Sequence, residues 1–269
     1  MNKISILLIC TGLLLTMGCI KDVPEVEPSQ KTIEEYISQN NLSPQYTASG
    51  LGYTIGMEGS SRRNIDESTV KTEVIVTSTE DRTLIDTEGD IYINMLGQVP
   101  AIREGMKLIG EGGKIILYVP YEIGWGDVGN TSVPGSSDVI IEITLSSILI
   151  DVEDYISENN ITVTPVPNSD VKVLIEEEGD GNFPNVNSVV NVIYSGYLTN
   201  DEVFDESVDG LSISLQNVIP GWREGIPQFS TGGKGKIFVP YEEAYGTAGN
   251  SAIPGRTDLI FDIELVSFN

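Results

Sequence analysis

The stretch VPYEIGWG at residues 119–126 returns as VPYEEAYG at residues 239–246. Each sits in a longer match, EGGKIILYVPYEIGWGDVGNTSVPG against TGGKGKIFVPYEEAYGTAGNSAIPG, and the offset is 120 from both Gly112 to Gly232 and Pro120 to Pro240. That period is too long for a solenoid, whose units run to roughly 20–50 residues, and it suits duplication of a whole domain. A chain of 269 residues accommodates two units, each large enough to bury its own core.

Each half is expected to open alike. TIEEYISQNN at 32–41 predicts a short helix with Thr32 as cap and Glu35 completing a capping box, and DVEDYISENN at 151–160 repeats it. A Pro-containing stretch and then a strand follow each, GLGYTIGMEGS at 50–60 and DVKVLIEEEGDG at 170–181. In the second half SVVNVIYSGYLTN (188–200) is rich in β-branched and aromatic residues and predicts a central strand. EVFDES (202–207) and LSISL (211–215) predict two more, with Leu211, Ile213 and Leu215 on a buried face. Trp222 to Ser230 predicts one short helix closed by Gly232-Gly233. KGKIFVP (234–240) and DLIFDIELVSF (258–268) add two strands, the latter with Leu259, Phe261, Ile263 and Leu265 on one face. The sum is an α+β domain of mostly antiparallel strands with one short helix, present twice in tandem.

Composition narrows the function classes. Lys and Arg number 15 against 40 Asp and Glu, a formal charge of −25 with no basic stripe, which argues against a nucleic-acid partner. Histidine is absent, which removes His-based triads and the usual zinc sites. No metal or cofactor is expected.

Residues 1–19, MNKISILLICTGLLLTMGC, carry Lys3, an apolar run from Ile4 to Met17, and then Gly18-Cys19. The run is too short for a spanning helix and has the size of a signal h-region. Its ending resembles a bacterial lipoprotein signal, which implies Cys19 as the lipidated first residue of the mature chain. Thr16 stands where such signals usually have Leu, and an ordinary cleaved secretory signal is the alternative. Cys10 lies inside the signal, so the mature chain is expected to have no intrachain disulfide. Residues 20–31, with Pro and acids, read as an extended tether. The resemblance implies a lipid anchor to a membrane of the bacterial cell envelope, the outer membrane of a Gram-negative cell, on its periplasmic or surface face.

VIYSGYL, VFDES, VIPGWREG, GGKGKIFVPYEEAYG and IPGRTDLIFDIEL follow one another between residues 170 and 269. In this order they resemble the FKBP-type peptidyl-prolyl cis-trans isomerases. The resemblance implies a curved antiparallel sheet wrapped on a short helix, proline-containing polypeptides as clients, and a ring-lined pocket. Carried over position by position, Tyr194 is the pocket tyrosine of the central strand, Phe204 a wall, and Asp205 the carboxylate that orients neighbouring polar groups. Val218 and Ile219 form the rim, with the Ile219 N–H holding a substrate carbonyl. Trp222 is the floor under the proline ring, and the Tyr245 hydroxyl grips a second carbonyl. Ile253 and Phe261 are further walls, and Leu211 falls where the family often has Phe. Singly, Trp222, Phe204, Phe261 and Ile253 would read as core, Asp205 as a turn residue and Tyr245 as a loop aromatic; their joint order carries the reading.

The first half, residues 32–149, keeps the glycines and strand alternation but few of these side chains. Trp222 is answered by Ile102, Tyr245 by Trp125, Phe261 by Ile141, Phe204-Asp205 by Ile85-Asp86, and Tyr194 by Val74 or Ile75. The expectation is a degenerate domain, foremost a spacer, beside an isomerase domain at 150–269. The rival reading is a non-catalytic lipoprotein, a holdase or adaptor, that uses both domains as polypeptide-binding clefts.

Overall fold

The computed structural model describes residues 31–80, 82 and 84–269. The signal, Cys19 and all of the tether but Lys31 lie outside the described residues.

Two six-stranded sheets follow one another with the same order of elements. The first half runs α1 (Ile33–Gln39), β1 (Gln45–Tyr46), β2 (Gly52–Met57), β3 (Thr69–Ser78), β4 (Leu84–Asn94), α2 (Pro100–Met106), β5 (Lys114–Val119) and β6 (Val139–Leu149). The second runs α3 (Val152–Glu158), β7 (Thr164–Pro165), β8 (Lys172–Glu177), β9 (Val189–Leu198), β10 (Val203–Ser214), α4 (Pro220–Gly225), β11 (Lys234–Val239) and β12 (Leu259–Phe268). Strand order is β1-β2-β5-β6-β3-β4 in one and β7-β8-β11-β12-β9-β10 in the other, and the strand pairs are antiparallel.

The opening helices form where their caps predict. The Thr32 side chain accepts from the Glu35 N–H while the Glu35 side chain accepts from the Thr32 N–H, and Asp151 caps α3 through the Asp154 N–H. Both helices cover the outer face of their sheets. Val152 and Ile156 pack with Tyr197, Phe238 and Ile260, and Ile33 packs with Tyr118 and Ile140. The strands β11 and β12 are therefore buried on two sides, where the alternation of Leu259, Phe261, Ile263 and Leu265 had suggested one.

On the inner face, α4 lies against β11 through glycine. A Cβ on Gly221 would stand 2.3 Å from Val239, and one on Gly225 2.7 Å from Ile237. Two expectations need correction here. The helix predicted from Trp222 to Ser230 begins at Pro220, where a missing N–H costs nothing, and Pro227 turns its end into a 3-10 turn over Ile226–Gln228. The two strands expected at 202–207 and 211–215 are one, β10, interrupted by register shifts.

The halves meet where the β9–β10 turn, Thr199 to Glu202, reaches β3, β4 and β6. Thr199 Oγ1 donates to the Ile150 carbonyl at 2.9 Å, and Asn200 Nδ2 donates to Ser147 Oγ at 2.9 Å.

Candidate functional site

Consecutive residues of a strand normally point to opposite faces, yet Phe204 and Asp205 serve one site. The register explains this. Val203 stands opposite Tyr197 and Asp205 opposite Gly196, so two steps along β10 match one along β9. This bulge turns both side chains toward the concave face.

There Tyr194 donates its hydroxyl hydrogen to Asp205 Oδ2 at 2.6 Å. Its ring meets Trp222 edge-on, with centroids 4.8 Å apart and an interplanar angle of 85°. Trp222 meets Phe261 at 5.2 Å and 80°, and Phe261 meets Phe204 at 5.7 Å and 86°. Such T-shaped contacts set the positive edge of one ring on the negative face of the next. The four rings form a continuous chain of contacts, with Tyr194, Trp222 and Phe261 buried. Trp222 Nε1 is buried with no acceptor among the described residues.

The remaining positions surround this chain. Ile253 is buried in the same cluster, and Phe204, Val218, Ile219 and Leu211 are partly buried against it. Leu211 stands opposite Val192, two residues along β9 from Tyr194 and so on the same face. Ile219 precedes Pro220 in an extended conformation (φ −57°, ψ 149°), and its N–H has no acceptor among the described residues. The loop that presents Ile253 is closed by Asn250, whose Oδ1 accepts from the N–H groups of Ala252 and Ile253 at 2.8 and 2.9 Å.

Tyr245 is 39 % exposed. Its hydroxyl pKa is raised, first by partial burial and then by the negative charge of Asp205. The Tyr194 hydroxyl is raised further, by burial and then by its hydrogen bond to Asp205. Both phenols therefore keep their protons at neutral pH and can act as donors. The structure thus gathers Tyr194, Phe204, Asp205, Trp222 and Phe261 by direct contact and places Tyr245, Ile219, Val218, Ile253 and Leu211 around them.

One contributor went unread in the sequence. Gly196 lies between the rings of Phe204 and Phe261, where a Cβ would stand 2.7 Å from Phe204 and 2.9 Å from Phe261. A glycine inside an apolar strand, as in YSGYL, signals close approach by a neighbour, and that signal was available.

In the first half the register resolves the remaining ambiguity. Val74 stands opposite Ile143 as Tyr194 stands opposite Ile263, so Val74, not Ile75, answers Tyr194. Val76, opposite Asp86, occupies the place of Gly196. The bulge is kept, since Val76 to Thr77 matches Asp86 to Leu84. A cavity of about 200 Å³ remains there, lined by Val74, Val76, Asp86, Ile102 and Trp125 among others.

Comparison with known proteins bears on residues 181–266, which match the sequence profile described as FKBP-type peptidyl-prolyl cis-trans isomerase. FK506-binding protein 1 of Saccharomyces cerevisiae is 38% identical over 114 residues, 40% of this chain and 100% of that protein. The chain belongs to the FKBP-type peptidyl-prolyl cis-trans isomerases. Among other relatives, the FKBP-type peptidyl-prolyl cis-trans isomerase FkpA of Escherichia coli K12 is 42% identical over 95 residues, 34% of this chain and 35% of that protein. FkpA of Buchnera aphidicola is 43% identical over 95 residues, 34% of this chain and 38% of that protein. The chain thus spans little more than a third of the length of these bacterial FKBP-type relatives.

Proposed function

We propose that residues 150–269 catalyse cis–trans isomerisation of peptide bonds preceding proline, in polypeptide clients of the bacterial cell envelope. The observation that carries this is the ring chain Tyr194–Trp222–Phe261–Phe204 closed by the Tyr194–Asp205 hydrogen bond.

Rotation about the bond is opposed by about 18–20 kcal/mol because it destroys amide resonance. The twisted amide is less dipolar than the planar one, so a dry aromatic pocket disfavours the ground state more than the transition state. In this reading Trp222 floors the proline ring, with Phe204, Phe261 and Ile253 as walls. Ile219 N–H holds one carbonyl of the flanking chain and the Tyr245 hydroxyl another. Asp205 holds Tyr194 in place and keeps its proton on the phenol. No covalent bond breaks, so the reaction uses no nucleophile and no cofactor.

Residues 32–149 carry Ile, Val and Trp where the second half has Trp, Tyr and Tyr: Ile102, Val74 and Trp125. An aliphatic floor and a missing hydroxyl support a domain that isomerises prolines poorly or not at all and stands between anchor and enzyme. The lipid anchor at Cys19 completes the proposal.

A protease-coupled prolyl-peptide assay tests the division of labour. Activity is expected in the whole chain and in the fragment 150–269, and to be absent from the fragment 32–149. Equal activity in the two fragments would refute it. Cys19→Ser is expected to move the protein from the membrane to the soluble fraction, and unchanged fractionation counts against lipidation.

A further inference from the structure

The cavity of the first half has changed its chemistry rather than closed. Its floor is aliphatic, with Val74, Val76 and Ile102 buried. Trp125, Asp86 and Glu88 also line it, Trp125 and Asp86 half-buried and Glu88 exposed. None of the described residues that line it is basic. Asp86 Oδ1 accepts one hydrogen bond, from the Thr87 N–H at 2.9 Å, and no ion pair engages Asp86 or Glu88 among the described residues. The nearby arginines are used elsewhere, Arg82 on Glu142 and Arg103 on Asp66.

We propose that this cavity binds a Lys or Arg side chain of an extended polypeptide: the aliphatic stem against Val74, Val76 and Ile102, the cation between Asp86, Glu88 and the Trp125 ring. The inference does not depend on the isomerase reading of the second half.

Three observations select this occupant. The volume of about 200 Å³ is below the roughly 300–1,000 Å³ of drug-sized ligand sites, so it suits one side chain. Two carboxylates beside an aromatic face, on a greasy floor, complement a long apolar stem that ends in a cation. Val99 lines the same cavity in an extended conformation (φ −61°, ψ 152°), and its N–H has no acceptor among the described residues. A peptide carbonyl beside the bound side chain supplies one, which favours a polypeptide over a free amine.

Fluorescence anisotropy on the full-length protein tests this with a labelled, proline-free peptide, Ala-Leu-Lys-Leu-Ala. The peptide is expected to bind, and replacing its lysine with norleucine, which keeps the stem and removes the charge, to weaken binding at least tenfold. The isosteric change Asp86→Asn, alone or with Glu88→Gln, is expected to weaken the lysine peptide at least tenfold and leave the norleucine peptide unaffected. Val76→Phe, which fills the floor, should abolish both; if it fails to fold, the isosteric changes still decide. Equal binding of the two peptides, absence of binding, or indifference to Asp86→Asn overturns the proposal. Displacement by a lysine-free prolyl peptide also overturns it, because the labelled peptide would then occupy the second half. Butylamine competing as well as the peptide would overturn the polypeptide assignment.

Discussion

Lys71 of β3 donates to Glu202, in the turn between β9 and β10, across the junction of the two halves, with Nζ 2.7 Å from Oε2. The Tyr92 hydroxyl donates to the same oxygen at 2.8 Å and receives a hydrogen bond from Asn200 Nδ2 at 2.8 Å. The turn held this way leads directly into Phe204 and Asp205. The Lys71 hydrogen bond pulls the Glu202 pKa below its ordinary value, and Glu202 raises that of Lys71. A depressed carboxylate stabilises above its unfolded pKa, and the contribution is lost as pH falls through the folded value.

Glu202→Ala is accordingly expected to loosen the junction while leaving both cores intact. Calorimetry should resolve one transition of the native chain into two, with little change in the higher one, because a half-exposed ion pair contributes little by itself. Acidification through the lowered pKa of Glu202 should separate the transitions of the native chain and leave those of Glu202→Ala as they are. A variant that still unfolds in one step would show that the Thr199–Ile150 and Asn200–Ser147 contacts suffice.

Removing a single hydroxyl tests the Tyr194–Asp205 pair. Tyr194→Phe keeps the T-shaped contact with Trp222 and leaves Asp205 without its donor, so kcat/KM is expected to fall about tenfold. Tyr245→Phe should fall similarly, chiefly through KM if its hydroxyl grips the ground state and the transition state alike. Trp222→Ala removes the floor and a buried side chain together, and about 3–5 kcal/mol of stability should go with it. Steady-state kinetics with urea denaturation separates these outcomes. Unimpaired activity in Tyr194→Phe would leave the hydrogen bond a purely structural role.

Much of this site was legible before any coordinates, and the reason is specific. Tyr194, Phe204, Trp222 and Phe261 sit in blocks whose order resembles a known family, and the ring contacts place these four together. The bulge between Val203 and Asp205 was not legible, because an extra residue in one strand shows only against its partner. The outer helices were legible as helices through Thr32 and Asp151, yet their packing was not. Phe238 and Ile260 fall on the face that simple alternation assigns to water, and only α3 lying across them accounts for their burial. Pro227 could have been read as ending the helix of Trp222, since proline lacks the N–H that continues it.

Gly196 supplies a test of why one half keeps the ring chain and the other does not. Gly196→Val copies the Val76 of the first half and drives a side chain between Phe204 and Phe261. Overpacking of this kind costs about 1–3 kcal/mol, and the displaced rings should lower kcat/KM more than tenfold. The reciprocal change, Val76→Gly, is expected to create no isomerase activity, because Ile102, Val74 and Ile141 still lack the rings. Prolyl isomerisation by the first half after that one change would show that backbone space alone had silenced it.

Asp258 offers a pH signature that differs in sign from the junction. Its Oδ2 accepts from the Val152 N–H and its Oδ1 from the Tyr241 N–H, both at 2.8 Å, tying the start of α3 to the turn after β11. Burial pushes its pKa up to about 6 from an ordinary 3.8, against the opposing pull of those two hydrogen bonds. The folded state therefore binds a proton that the unfolded chain has released between about pH 4 and 6. Its contribution to stability falls as pH rises through that window, by up to about 1.4 kcal/mol per pH unit. Asp258→Asn removes the titration and presents an N–H₂ group where one of the two amides needs an acceptor, so it should destabilise by about 1–3 kcal/mol. The loss relative to the native protein should be largest near pH 4 and smaller at pH 7. Urea denaturation of both proteins across that range measures the difference, and a loss that grows with pH would mean that the ionised carboxylate, through its two amide bonds, outweighs the cost of burying its charge.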